Sequence, residues 1–190
     1  MEYQTASVCI PPCYIQRVKE AYGEQINICT VVGFPLGYSV TEAKVAETKK
    51  ALEDGASEVD MVVNISDVKN GNYDAVQAEI AALKKITGDK ILKVIIETCY
   101  LTEEEKIAMC KAVTAAGADY IKTSTGFGTA GATLEDIRLF RENIGPDVKM
   151  KAAGGVKTVA DMEAFLEAGC DRIGTSSAIQ LIQGEQTSGY

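Results

Sequence analysis

Ala116-Gly117-Ala118-Asp119-Tyr120-Ile121-Lys122-Thr123-Ser124-Thr125-Gly126 carries the pattern on which the rest of the chain is built. A helix end stopped by a glycine leads into a short apolar strand. The strand closes on a lysine and a Thr/Ser/Gly-rich turn. Its first half recurs: Asp54-Gly55-Ala56 and Ala168-Gly169-Cys170 also end helical stretches and lead into strands, and Gln4-Thr5-Ala6 before Cys9 reads as a degenerate further copy. Five residues beyond the three glycines stand Asp60, Lys122 and Gly174, at equivalent strand ends.

Working outward, β-branched runs at Ser7–Ile10, Asn27–Val32, Glu58–Val63, Ile91–Ile96, Tyr120–Lys122, Val148–Ala152 and Arg172–Gly174 predict strands. Helical segments follow them. These run from Pro12 to Tyr22 and from a Ser39/Glu42 capping box to Glu53, and a loop and a helix together occupy Ser66 to Ile86. Others run from Thr102, boxed with Glu105, to Ala116, from Thr133 to Asn143, from Thr158 to Ala168, and from Ser176 onward. Strands alternating with helices pair in parallel through right-handed crossovers. The glycine copies recur at every second unit, and four copies of a two-unit repeat make an eight-stranded barrel. The expected fold is therefore an α/β chain, a (β/α)8 TIM-type barrel. It lacks the first strand and most of the first helix, and forms a single domain over residues 1–190.

The 190 residues are 46% hydrophobic and 24% charged, an ordinary globular composition with a net charge of −8. No basic run is present, which argues against nucleic acid as a partner. No apolar run approaches the roughly 20 residues of a membrane span. The six cysteines are scattered and the chain has no histidine. That pattern predicts free thiols in a cytoplasmic protein, no metal site, and no Ser-His or Cys-His nucleophile. Lysines and carboxylates are left to do any proton work. An unpaired barrel edge favours a homo-oligomer.

In a barrel, the C-terminal strand ends form the reactive face. Asp60, Lys93, Lys122 and Lys151 fall there or on inward parity. A single strand lysine ordinarily reaches solvent. Three facing one interior repel one another, which favours a neutral, nucleophilic amine on one of them, with Asp60 offsetting the remaining charge. Two Gly-rich turns follow the last two strands: Lys151-Ala152-Ala153-Gly154-Gly155-Val156 and Gly174-Thr175-Ser176-Ser177. With Thr125-Gly126 nearby, they read either as tight turns or as a phosphate cradle. A nucleophilic lysine beside such a cradle suggests a carbonyl-bearing sugar phosphate.

These motifs, with Thr30-Val31-Val32-Gly33-Phe34-Pro35, Glu58-Val59-Asp60-Met61-Val62-Val63-Asn64 and Leu92-Lys93-Val94-Ile95-Ile96-Glu97-Thr98, resemble the deoxyribose-phosphate aldolase family from about Thr5 onward. The resemblance implies a class I aldolase that needs no metal or other cofactor. Such an enzyme cleaves 2-deoxy-D-ribose 5-phosphate to D-glyceraldehyde 3-phosphate and acetaldehyde. It further implies Lys122 as the Schiff-base lysine, Lys151 as a second lysine that lowers its pKa, and Asp60 in a proton relay. Lys93, Thr125, Gly126, Gly154, Gly155, Gly174, Ser176 and Ser177 would contact the substrate. Tyr190 resembles a terminal tyrosine that some members fold over the site. The family's usual first strand, with its Asp-His-Thr motif in many members, is not in this sequence. Two alternatives stay open on that account. One is an inactive truncated barrel that binds sugar phosphate or only self-associates, and the other is a Schiff-base aldolase of different substrate.

Overall fold

In the computed structural model, which describes residues 2–184, seven strands form one parallel sheet in chain order. They are β1 (Val8–Ile10), β2 (Ile28–Val32), β3 (Glu58–Val62), β4 (Ile91–Ile95), β5 (Tyr120–Lys122), β6 (Lys149–Ala153) and β7 (Arg172–Gly174). The helices among the described residues are α1 (Ile15–Tyr22), α2 (Thr41–Glu53), α3 (Ile65–Lys69), α4 (Tyr73–Thr87), α5 (Glu103–Ala115), α6 (Leu134–Asn143), α7 (Val159–Glu167) and α8 (Ala178–Ile182). Tyr190 lies outside the described residues. The repeat glycines Gly55, Gly117 and Gly169 have φ of +109°, +71° and +108°, the left-handed stop their position demands.

The sheet curls into an arc of a TIM-type barrel. Arg172 on β7 reaches Glu58 on β3 across the interior, with Nη1 at 2.8 and 2.6 Å from the two carboxylate oxygens. A flat sheet would hold those strands, four places apart, nearly 20 Å from one another. Strand parity divides the two faces. Val59, Met61, Leu92, Val94, Ile121, Met150 and Ala152 turn outward and pack on Ile80, Leu83, Met109, Val113, Ile137 and Phe140 of the helix layer. Each buried Val, Leu, Ile, Met or Phe side chain among them contributes about 1.5–3 kcal/mol. The other parity carries Glu58, Asp60, Lys93, Tyr120, Lys122 and Lys151 into the barrel, all buried.

Local signals account for most boundaries. Thr102 with Glu105 and Thr158 with Asp161 form capping boxes, and Thr133 accepts from the Asp136 N–H. Two expectations change. The Ser39/Glu42 box does not form: α2 begins at Thr41 behind an extended Val40 with no side-chain cap. The Thr41 hydroxyl instead donates to Glu79 Oε1 on α4 at 3.2 Å, so a tertiary contact overrides the local one. The stretch expected as a loop and a helix from Ser66 to Ile86 holds the helix α4, but its first part is itself a short helix, α3, divided from α4 at Asn70-Gly71-Asn72. That tripeptide is turn chemistry inside a helical pattern.

Candidate active site

Asp60 is the hub of the barrel interior. Its Oδ1 takes Lys93 Nζ at 2.9 Å, and its Oδ2 takes Lys122 Nζ at 2.7 Å and Lys151 Nζ at 3.0 Å. The register makes this possible: Asp60 pairs with Lys93 across β3–β4, and Lys122 pairs with Lys151 across β5–β6. Glu58, two residues back on the same face, takes Lys93 at 2.5 Å and Arg172 at 2.6 Å. The Tyr120 ring lies beneath, 5.3 Å from the Arg172 guanidinium carbon. Four cations thus meet two carboxylates, an excess of two positive charges in a water-poor interior.

That balance sets the protonation states. Burial alone would raise Asp60, but Lys122, Lys151 and Lys93 outweigh it and hold the carboxyl well below its usual range. Burial likewise opposes ionisation of Glu58, and its bonds to Arg172 and Lys93 win. Burial pushes Lys122 and Lys93 down, but the Asp60 charge reverses the sign and both are raised. This corrects the expectation that mutual repulsion leaves Lys122 neutral. With no ligand, the carboxylate lies between the lysines and keeps Lys122 an ammonium.

The expected site residues separate into groups. Lys122 and Lys151 each keep 6% exposure, whereas Asp60 and Lys93 have none. Lys93 therefore does not line an open pocket; it clamps the two carboxylates from below. Thr125 also departs from its expected role. Its N–H donates to Glu97 at 3.2 and 3.3 Å and its hydroxyl to Glu97 Oε2, so its donors fasten the loop. Gly126, Gly154 and Gly155 have φ of +88°, +76° and +72°. A Cβ on Gly131 would lie 2.3 Å from the Gly154 carbonyl, so the loop after β5 threads against the turn after β6. Gly174 leaves room for Lys151, whose Cε would be 3.1 Å from an added Cβ. Ser176 is exposed and Ser177 buried, and the Thr175 hydroxyl reaches the Val156 carbonyl at 3.3 Å, joining the two final turns.

Glu58, Arg172, Glu97 and Cys29 were not singled out from sequence. Glu58 shares the parity of Asp60, and Arg172 that of Gly174, so alternation could have found both. Glu97 carries no such signal: it is a non-glycine residue at φ +53°, just beyond β4. Cys29 Sγ donates to Asp60 Oδ1 at 3.2 Å. With Cys9 it brings two sulfurs and a carboxylate oxygen within 4.8 Å of one another. The three ammonium groups on Asp60 oppose any dication there. A separate cleft of about 310 Å³, lined by Ser39, Thr41, Asn64, Asp67 and Glu79, contains no nucleophile of this kind.

Two strand-end lysines on a buried carboxylate can form a protonated imine that the carboxylate stabilises, and the adjoining Gly-rich turns can bind an anion. Comparison with known proteins points the same way. Residues 1–178 match the family described as DeoC/LacD family aldolase. The deoxyribose-phosphate aldolase of Clostridium botulinum (strain Alaska E43 / Type E3) is 73% identical over 190 residues, covering 100% of this chain and 86% of that protein. Among solved structures, the aldolase QR15 superposes with a TM-score of 0.91 at 40% identity, over 96% of this chain and 82% of that one. The deoxyribose phosphate aldolase of Aeropyrum pernix, described as a unique tetrameric structure, gives 0.89 at 29% identity, over 96% and 78%.

Proposed function

The chain belongs to the DeoC/LacD aldolase family, and from that membership we propose a deoxyribose-phosphate aldolase acting through an imine on Lys122. Its reaction is the cleavage of 2-deoxy-D-ribose 5-phosphate to D-glyceraldehyde 3-phosphate and acetaldehyde. The observation that carries the reading is the Lys122–Asp60–Lys151 contact, at 2.7 and 3.0 Å, at adjoining strand ends. An ammonium and an aldehyde combine to an iminium and water with no change of charge. Asp60 therefore keeps a cationic partner throughout, and the barrel interior never has to solvate a new charge.

Attack still requires an amine. As the aldehyde enters, the Lys122 proton passes through Asp60 or a water to the carbinolamine oxygen, which leaves as water. The iminium then draws electrons from the C2–C3 bond. A water held by Asp60 and Lys151 takes the C3 hydroxyl proton, and the triose phosphate departs. Protonation and hydrolysis of the enamine release acetaldehyde and restore the ammonium. Substrate phosphate is assigned to the turns at Gly126, Gly154, Gly155, Gly174, Ser176 and Ser177, with the excess of positive charge drawing it in. The same reading places one barrel domain in the cytoplasm, supported by six cysteines that are all free. It also gives the chain a homo-oligomeric state, supported by the relative described as tetrameric.

The test is reduction with borohydride in the presence of 2-deoxyribose 5-phosphate, followed by peptide mass. A substrate-dependent gain on the peptide containing Lys122, absent in Lys122→Ala, is expected. No gain on that peptide in a folded chain sinks the proposal, and a gain without product reduces the protein to a binder.

A further inference from the structure

One cluster in the barrel is left unused by this mechanism. Cys9 on β1 and Cys29 on β2 are direct partners in the parallel register. Neighbouring strands run about 4.8 Å apart, inside the roughly 4.4–6.8 Å between Cα atoms that a disulfide bridges. The two sulfurs lie within 4.8 Å of each other and of an Asp60 oxygen. Cys9 is exposed and Cys29 buried. We propose that Cys9 and Cys29 are a peroxide-sensitive thiol pair that closes to a disulfide beside Lys122 and reversibly shuts the site.

The division of labour follows from the surroundings. When Cys9 ionises, Cys29 turns its single S–H proton from Asp60 to the Cys9 sulfur; that bond, with the charges of Lys122 and Lys151, brings the Cys9 thiol down to about 7 against desolvation and Asp60. The same bond, with burial and the Asp60 charge, pushes Cys29 well up. Cys9 is therefore the attacking thiolate and Cys29 the resolving thiol. The Cys9 sulfur attacks a hydroperoxide oxygen: an S–O bond forms, the O–O bond breaks, and the alcohol or water leaves with a proton. The Cys29 sulfur then attacks Cys9: the S–S bond forms, the S–O bond breaks, and water leaves with the Cys29 proton. Two electrons pass from the sulfurs to the peroxide. The bridge removes the S–H that donates to Asp60 Oδ1 at 3.2 Å and turns sulfur lone pairs toward the carboxylate. Losing a donor to a charged group should slow the site about tenfold.

The experiment treats the intact chain with hydrogen peroxide, in a Cys13→Ser background to remove the neighbouring exposed thiol, then blocks the remaining thiols with iodoacetamide. A Cys9–Cys29 linked peptide pair, lighter than its parts by two hydrogens, is expected. Aldol cleavage should fall about tenfold and recover with dithiothreitol. In Cys29→Ala, dithiothreitol should not restore the untreated rate, because Cys9 oxidises onward past the sulfenic acid. Sulfinic acid on Cys9 without the link, or a link that leaves the rate unchanged, overturns the proposal. The rate alone rests on the aldolase reading. The link is read by mass, so a failure of either is told apart.

Discussion

Two buried lysines in this molecule have opposite fates. Lys44 on α2 is fully buried; its Nζ donates to Glu79 at 2.7 Å and to the Val62 carbonyl at 2.9 Å. Glu79 takes the Thr41 hydroxyl as well, so one cation meets one anion and the donors around them are used. Lys122 shares Asp60 with two other cations and keeps a small opening. Burial outweighs Glu79 and pulls Lys44 down, whereas Asp60 holds Lys122 up. Judged by the direction of its shift alone, Lys44 would be the activated amine. Charge imbalance and access, not burial, separate the lysine proposed as nucleophile from the structural one.

Substitutions can break that contrast. Lys122→Ala should abolish imine trapping and lower cleavage on the order of 10⁴-fold or more, as loss of a covalent nucleophile does, with little change in denaturation midpoint. Lys44→Met should do the reverse. It strands Glu79 in the interior, costing about 3–5 kcal/mol in denaturant unfolding, while the folded fraction cleaves normally; adding Glu79→Leu should recover most of the loss. If Lys44→Met lowers the rate per folded molecule more than its stability explains, the two networks are not separate.

Asp60→Asn sharpens the comparison further. It leaves Lys122 and Lys151 without their shared carboxylate and should slow cleavage about 10²-fold, measured at saturating substrate. The smallest effect is acid stability. The folded-state pKa of Asp60 is depressed, so its contribution is full above the ordinary carboxylate value near 4 and fades as pH falls through the lower, folded value. Asp60→Asn should flatten the slope of unfolding free energy against pH below about 4.

Much of this was legible beforehand, for physical reasons. A glycine stop, a strand of fixed parity and a capping threonine are local, and the strand order follows from crossover rules. The hub of Asp60, Lys122 and Lys151 was readable because strand ends of one barrel converge. What stayed hidden needed three dimensions. Lys44 reads as an ordinary solvent-facing helix lysine until α4 brings Glu79 beside it. The protonation of Lys122 depends on how closely the Asp60 carboxylate approaches it. Thr125 gave no sign that its donors would be taken by a residue just beyond the preceding strand.

That last contact ties the mouth of the barrel together. Glu97 accepts a left-handed backbone, at a cost of about 1–3 kcal/mol, to seize Thr125 on the next loop. The Thr125 hydroxyl takes the Phe127 N–H at 3.0 Å, and the Phe127 ring meets Phe34, beyond β2, edge-on at 5.4 Å. The segments after β2, β4 and β5 are thus joined in an arc with unequal joints. Those made to the carboxylate hold at about 1.5–3 kcal/mol each, while the Phe127–Thr125 bond and the aromatic contact each hold at about 0.5–1.5. Under load the arc gives at the ring contact or at the Phe127–Thr125 bond before it gives at the carboxylate.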